Sequence, residues 1–182
     1  MEDVPFKHLA FKAKIFWSEP VSYDAFLNRA CSIECENIDI NDFTDDDGDF
    51  WVNDYSVAKP NFYMILGRWG SKIKLFYIGK NTNSVFVRLK QPDHMLRKNE
   101  MKSDYPRYKL LLSLGHLCME LGSKRTSKRI DEIESILIYA HEPKYNKSKI
   151  FKRPAISDYW IKNYGYTIPL HNQLYYGLKV ED

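Results

Sequence analysis

Hydrophobic and polar positions alternate near the start of the chain in a way that predicts short elements. Residues 6–17 (FKHLAFKAKIFW) fit a strand or a short helix, and residues 22–30 predict a short helix with Ser22 as its N-cap. The acidic segment 42–54 predicts a turn that leads into a strand at residues 50–52. The first third of the chain therefore combines brief elements with a long polar connection.

A hairpin is predicted in the middle of the chain. Residues 62–66 and 73–78 are β-type runs, and residues 67–70 (Gly-Arg-Trp-Gly) form the glycine-bearing connection between them. Gly79 then ends the second run. Two antiparallel strands are therefore expected here.

The segment after the hairpin mixes helix and strand signals. The polar connector 81–84 can cap a helix that begins near Val85, and this helix should fail at Pro92, which cannot donate to a helical ladder. Residues 110–119 fit a strand or a helix equally well.

Residues 127–141 carry the clearest helical pattern, with Thr126 or Ser127 as a cap and Pro143 beyond the end. At ~100° per residue the apolar side chains share one arc. These are Ile130, Ile133, Ile136, Leu137, Ile138 and Ala140. Glu134 falls inside that arc, where a carboxylate needs a cation or hydrogen bonds to offset its desolvation. A structural ion pair and a functional site both meet this need.

Charge is distributed unevenly along the 182 residues, although the net formal charge is only +3. Residues 1–57 carry 4 Lys/Arg and 13 Asp/Glu (net −9), whereas residues 58–182 carry 23 Lys/Arg and 11 Asp/Glu (net +12). A basic segment rich in Tyr and Trp suits a polyanion with stackable bases. Lysines that only solubilise the fold explain the same count. The acidic segment can shield the basic one, contact a partner, or serve as a polar extension.

The sequence argues against a membrane or secreted protein. No run approaches the ~18 consecutive apolar residues of a membrane helix, and residues 1–14 lack a secretory signal pattern. Cys31, Cys35 and Cys118 resemble neither a disulfide framework nor a zinc ligand set. We therefore expect a cytoplasmic protein with no membrane partner.

Three motifs occur in a meaningful order. They are residues 62–65 (Phe-Tyr-Met-Ile), residues 77–79 (Tyr-Ile-Gly) followed by Arg88, and Glu134 followed by residues 143–146 (Pro-Lys-Tyr-Asn). This arrangement resembles the GIY-YIG nuclease superfamily. The core of that family has two motif strands in a hairpin, a helix with an Arg, and a later helix with a Glu before a Pro-x-x-Asn ending.

The resemblance covers about residues 59–148. Gly79 completes the second motif, whereas the first motif departs from the family pattern because Asn61 and Phe62 replace Gly and Ile while Tyr63 is kept. The interval from Gly79 to Arg88 is also about one residue longer than the commonest family spacing.

The resemblance implies metal-assisted hydrolysis of a DNA phosphodiester bond. Glu134 would be the metal ligand, for Mg²⁺ or alternatively Mn²⁺, because a hard cation that keeps several waters needs only one or two carboxylates. Arg88 would grip the scissile phosphate with its planar donor fork. The alternative for Arg88 is a helix-surface arginine.

The remaining candidate residues would take part in proton transfer or support the site. Tyr63 is the candidate general base and Tyr77 is the second motif phenol, and Lys80 could lower a phenol pKa. His94 would assist proton transfer, and Asn146 would brace the site by hydrogen bonds. Packing of the two tyrosines in strands, and a surface position for His94, are the structural alternatives.

We therefore predict an α/β (α+β) sandwich with a small central sheet of three strands flanked by helices. The predicted divisions are an acidic N-terminal extension (1–57), a GIY-YIG-like nuclease core (58–148) and a basic aromatic C-terminal extension (149–182). The aromatic side chains of the last division could form a DNA-binding face or pack against the core.

The predicted function is a magnesium-dependent DNA endonuclease, most similar to small type II restriction-type or phage-type members of the family. DNA is the expected partner, and a homodimer is one route to cutting both strands. Two alternatives stay open. One is a catalytically lapsed nucleic-acid-binding module on the same scaffold, and the other is a protein-interaction factor that works through the acidic segment.

Overall fold

The computed structural model describes residues 10–28, 60–81, 84–119, 123–150 and 158–177. The strands are β1 Phe11–Trp17, β2 Val21–Ser22, β3 Phe62–Trp69, β4 Lys72–Lys80, β5 Lys109–Met119, β6 Tyr159–Gly165 and β7 Gln173–Tyr176. The helices are α1 Tyr23–Leu27, α2 Val85–Leu89, α3 Pro92–Asp104 and α4 Ser127–His141.

The strands form one seven-stranded mixed sheet that curls into a half-barrel, in the order β4-β3-β5-β1-β6-β7 with β2 beside β5. The prediction of a small three-stranded sheet is therefore wrong. Strand β5 spans 11 residues, so it pairs with β3 along one edge and with both β1 and β2 along the other. Strand β1 then pairs in parallel with β6, which adds β6 and β7 to the sheet.

The predicted hairpin is confirmed as β3 and β4. Gly70 has a φ of 59° at the turn, a conformation that glycine adopts without steric cost. The strands pair antiparallel with an irregularity between Ile65 and Leu66, and β4 is the edge strand of the sheet. The ambiguous segment after α3 is a strand, since it becomes β5.

Side-chain caps begin three of the helices. Ser22, Ser84 and Thr126 accept hydrogen bonds from the backbone of α1, α2 and α4, respectively, which satisfies donors that the first helical turn leaves unpaired. Helix α2 ends at Leu89, before Pro92 as predicted. Pro92 also begins α3, a helix that the sequence interpretation missed, because proline is well tolerated in the first turn of a helix.

The two faces of the sheet are buried by different elements. Helix α4 packs its predicted apolar arc against one face together with side chains of β1, β3 and β6. Helices α1, α2 and α3 contribute to a second core, which includes Tyr63 and Tyr77. Tyr159, one of the tail aromatics, is fully buried, so at this position the packing alternative is confirmed.

Several sequence features lie outside the described residues, including Cys31, Cys35 and the predicted strand at residues 50–52. Cys118 is a buried cysteine in β5. Within the described residues, no helix combines the length and apolar character needed to cross a membrane.

A buried hydrogen bond joins β1 to β6, and its removal provides a test of this pairing. Trp17 Nε1 donates to Asn163 Oδ1 at 2.9 Å. We expect Asn163→Ala to lower the free energy of unfolding by about 1–3 kcal/mol, because the indole N–H loses its acceptor. In a Trp17→Phe background the same substitution should cost less, as measured by urea unfolding of the four proteins. Additive costs would contradict this coupling.

Candidate active site

A cavity of about 490 Å³ lies at the β4 edge of the sheet. The residues that line it come from the β3–β4 hairpin, from the region around α2 that follows it directly, and from α4, which is distant in the sequence. Five of the predicted site residues line this cavity, namely Tyr63, Tyr77, Lys80, Arg88 and Glu134. Chain topology therefore brings side chains from positions 63 to 134 to one place.

The two motif tyrosines meet because a glycine lies between them. Tyr63 is opposite Gly79 in the β3–β4 register, and the Tyr63 and Tyr77 rings are 5.9 Å apart. A Cβ atom built on Gly79 would lie 2.5 Å from the Tyr63 hydroxyl oxygen and 2.7 Å from the Tyr77 ring. Any larger residue at position 79 would therefore displace one of the phenols.

His94 on α3 lies behind Tyr63 and is almost fully buried, with 1% of its surface exposed. Its Nε2 atom is 3.2 Å from the Tyr63 hydroxyl, and its Nδ1 atom is 3.2 Å from a terminal nitrogen of Arg97. A guanidinium group can only donate, so Nδ1 must accept and the proton of a neutral ring must be on Nε2. His94 therefore donates to Tyr63, and the hydroxyl hydrogen of Tyr63 must point elsewhere.

Burial and neighbouring charge set the protonation of this group. Burial lowers the pKa of His94 to about 4, and the positive charges of Arg97 and Arg88 act in the same direction. Burial raises the pKa of Tyr63 well above its usual value, while the charge of Arg88 opposes that rise. Burial also raises the pKa of Tyr77, against the influence of Arg97, which lies 4.5 Å from the ring centroid. At neutral pH both phenols and the imidazole are uncharged.

Arg88 lies in the last turn of α2 with 40% of its side chain exposed. It donates to the Gln91 side chain, and it lies 3.7 Å from an Asp93 oxygen. Since both partners are on the surface, an incoming anion can replace them at modest cost. Arg88 thus offers the cavity a guanidinium that remains charged at any working pH.

Glu134 is the buried carboxylate of the cavity, with 8% of its surface exposed. Its Oε1 atom accepts a hydrogen bond from the Lys80 backbone N–H at 2.9 Å, and its Oε2 atom accepts from the Lys149 ammonium at 2.6 Å. The side chain of Lys80 does not reach Glu134 but pairs with Asp131, one turn earlier on α4. These contacts offset the desolvation expected for a carboxylate within the apolar arc.

Asn146 lies outside the cavity lining and supports the strand beneath it. Its side chain accepts from the Ile78 N–H at 2.9 Å and donates to the Ile78 carbonyl at 2.7 Å. The preceding residue, Tyr145, donates its backbone N–H to the Phe76 carbonyl at 2.9 Å. The segment after α4 therefore follows the outer edge of β4.

The donor set of the cavity suits a hard cation that retains its waters. Among the described residues, no group of three or more His, Cys, Asp or Glu side chains is arranged to hold a metal ion. Glu134 is the one carboxylate among the described residues that line the cavity. Its Oε2 atom is accessible to a cation, because the Lys149 ammonium already contacts it. One carboxylate together with waters and a substrate phosphate is a typical ligand set for Mg²⁺, whereas zinc prefers several nitrogen or sulfur ligands.

Comparison with known proteins adds no family to this description, since no family model, curated protein or solved structure matches the chain. The class of the site therefore depends on the arrangement of its own residues.

Three residues of the site were missed from the sequence. Arg97 follows His94 by one helical turn, but the interpretation of Pro92 as a stop left no helix on which to place it. Asp131 received no role from the sequence pattern, because it falls just beyond the edge of the apolar arc. Lys149 was predicted as part of the basic C-terminal extension, but its contact with Glu134 could not be predicted because it depends on the path of the chain after α4.

The tautomer of His94 can be tested against that of His141. The Nδ1 atom of His141 lies 2.8 Å from the Leu137 carbonyl, and its Nε2 atom accepts from the His171 N–H at 2.9 Å, so His141 must carry its proton on Nδ1. Multiple-bond ¹⁵N NMR should therefore report opposite tautomers for the two rings. Arg97→Leu should alter the pattern of His94 and leave that of His141 unchanged. An Nδ1-protonated His94 in the unmodified protein would contradict the assignment.

The depressed pKa of His94 predicts a loss of stability in acid. Between the usual value of 6.5 and about 4 the unfolded chain binds the proton more readily, so stability falls as the pH decreases through this range. The contribution is roughly 3 kcal/mol when the whole interval is crossed.

Urea unfolding from pH 7 to pH 4 would measure this loss in the unmodified protein and in His94→Gln. The variant should be less stable at pH 7 but should lose less stability on acidification. The contribution of His141, whose pKa burial also lowers, is common to both proteins. Parallel pH profiles would contradict the prediction.

Proposed function

We propose that this protein is a metal-dependent DNA endonuclease of the GIY-YIG type, with Mg²⁺, or alternatively Mn²⁺, as its cofactor. The observation that supports this proposal best is the shared cavity. Two phenols, a guanidinium and a carboxylate from three separate segments line the same 490 Å³ space. The family resemblance requires these groups to meet, although they are 71 residues apart from Tyr63 to Glu134.

Arg88 would bind the scissile phosphate. Its partly exposed donor fork matches two phosphate oxygens, and its pairs with Gln91 and Asp93 hold it beside the cavity until substrate arrives.

Glu134 would hold the metal through Oε2, after Lys149 moves away, while the Lys80 N–H keeps Oε1 in place. A bound Mg²⁺ would neutralise phosphate charge and make the attacking water more acidic.

Tyr63 would accept the proton of the attacking water. Tyr63 is a neutral phenol in the free protein, so its hydroxyl proton would first leave to solvent through the cavity. As the water oxygen then bonds to phosphorus, its proton would move to the phenolate oxygen of Tyr63, and the bond from phosphorus to the leaving oxygen would break. The leaving oxygen takes a proton from solvent. The phenolate form is opposed by burial and favoured by the His94 Nε2–H and the Arg88 charge, so His94 would act as a donor and not as a base.

The second candidate is a nucleic-acid-binding module that kept the scaffold without catalysis. The observation that favours it is the saturation of Glu134, because both carboxylate oxygens already have protein donors. The first motif, in which Asn61 and Phe62 depart from the family pattern, also favours a non-catalytic module.

We also propose a cytoplasmic location and a role similar to that of small restriction-type or phage-type nucleases. A homodimer would allow one site per chain to cut both strands.

Replacement of the two charged groups gives a direct test. Arg88→Ala and Glu134→Gln should each reduce cleavage of plasmid DNA in Mg²⁺ by about 10²–10³-fold, because each removes a group aimed at transition-state charge. Lys102→Ala and Glu100→Gln remove exposed charges on α3 and should leave cleavage unchanged. Circular dichroism and thermal unfolding would establish that all four variants fold.

Retention of cleavage in Glu134→Gln would contradict the proposed metal site. If the unmodified protein binds DNA in a salt-sensitive manner but cuts nothing in Mg²⁺ or Mn²⁺, the non-catalytic module is the correct alternative.

A further inference from the structure

A continuous surface of alternating cations and aromatic rings extends away from the cavity. The Lys144 ammonium lies 4.6 Å from the Tyr105 ring, the Lys74 ammonium lies 4.9 Å from Tyr105 and 5.8 Å from Tyr108, and Tyr108 lies 6.0 Å from Trp69. The cations of Lys72 and Arg107 then lie 5.5 and 5.7 Å from Trp69. We call this surface the basic aromatic strip, composed of Trp69, Lys72, Lys74, Tyr105, Arg107, Tyr108 and Lys144.

The strip has more cationic side chains than carboxylates that pair with them. Asp104 pairs with Lys144 at 2.8 Å. Within the described part of the chain, no carboxylate lies at ion-pair distance from Lys72, Lys74 or Arg107. Such a surface is suited to a polyanion. On the other face of the sheet, Arg68 and Lys109 are directly opposite each other on β3 and β5, an unfavourable arrangement of like charges.

Its aromatic side chains add a second kind of contact. Trp69 is 44% exposed at the tip of the β3–β4 hairpin, where the two strands end. An exposed indole among cations can stack on a nucleobase while the cations contact the backbone. A purely acidic protein partner would use the charges but would give the indole no matching group.

The strip and the cavity share one strand. Lys72 and Lys74 belong to β4, as do Tyr77 and Lys80 in the cavity. The five residue steps from Lys72 to Tyr77 span about 17 Å of extended strand. That length corresponds to about five base steps of duplex DNA.

We propose that the basic aromatic strip binds DNA about five base steps to one side of the bond that the cavity cleaves. The strip supplies affinity and the cavity supplies chemistry. This inference rests on the proposed nuclease function for its place on the substrate, but DNA binding by the strip can be measured without cleavage.

The first experiment measures affinity for a labelled DNA duplex by fluorescence anisotropy in EDTA over a range of salt concentrations. Lys72→Ala/Lys74→Ala should weaken binding and reduce the slope of log K against log salt by about 2, one for each lost phosphate contact. The matched control, Lys102→Ala/Lys128→Ala, removes the same charge from exposed positions elsewhere and should retain the slope. Trp69→Ala should weaken binding to a single strand at least about fivefold.

The second experiment measures cleavage kinetics in Mg²⁺. Lys72→Ala/Lys74→Ala should raise KM and leave kcat unchanged, because the strip is distant from the reacting bond. Duplexes shortened to fewer than about five base pairs on one side of the cut should lose the difference between the variant and the unmodified protein.

Equal salt slopes in the strip variant and its control would overturn the inference, even if the protein cleaves DNA. Strip-dependent binding without any cleavage would instead overturn the nuclease proposal and leave the DNA-binding surface in place.

Discussion

The backbone of the edge strand β4 is the constraint on which the candidate site depends. An edge strand has N–H and C=O groups without a neighbouring strand, and groups of this kind must find partners when they are buried. Here Glu134 accepts from Lys80, Asn146 bonds to both backbone groups of Ile78, and Tyr145 donates to Phe76. The same contacts that complete the sheet edge therefore fix the carboxylate and the two motif tyrosines relative to one another.

Charge within the cavity is arranged around neutral phenols. Two guanidinium groups, Arg88 and Arg97, lie near Tyr63, Tyr77 and His94, and both lower the pKa of His94. Arg97 also stacks on Tyr77 and fixes the tautomer of His94. Positive charge thus lies near the phenols on two sides, from the partly exposed Arg88 and from the half-buried Arg97 beside His94.

The local parts of the site could be predicted from the sequence, because they depend on short periodic patterns. The hairpin, the cap of α2 and the position of Glu134 within the apolar arc of α4 are examples of such local information. The extent of the sheet could not be predicted, because the alternation in residues 11–17 gives no partner for β1, and its parallel pairing with β6 joins segments almost 150 residues apart. Helix α3 was not predicted for another reason. Pro92 gives the same sequence signal whether it ends one helix or begins the next.

The repulsion between Arg68 and Lys109 has a thermodynamic consequence for the whole molecule. Counterions screen like charges, so added salt should stabilise this end of the sheet while it weakens attraction to a polyanion. A polyanion bound to the basic aromatic strip, on the other face of the sheet, would raise the melting temperature by mass action. Ionic strength therefore acts with opposite signs on folding and on association, through different side chains on the two faces of the sheet.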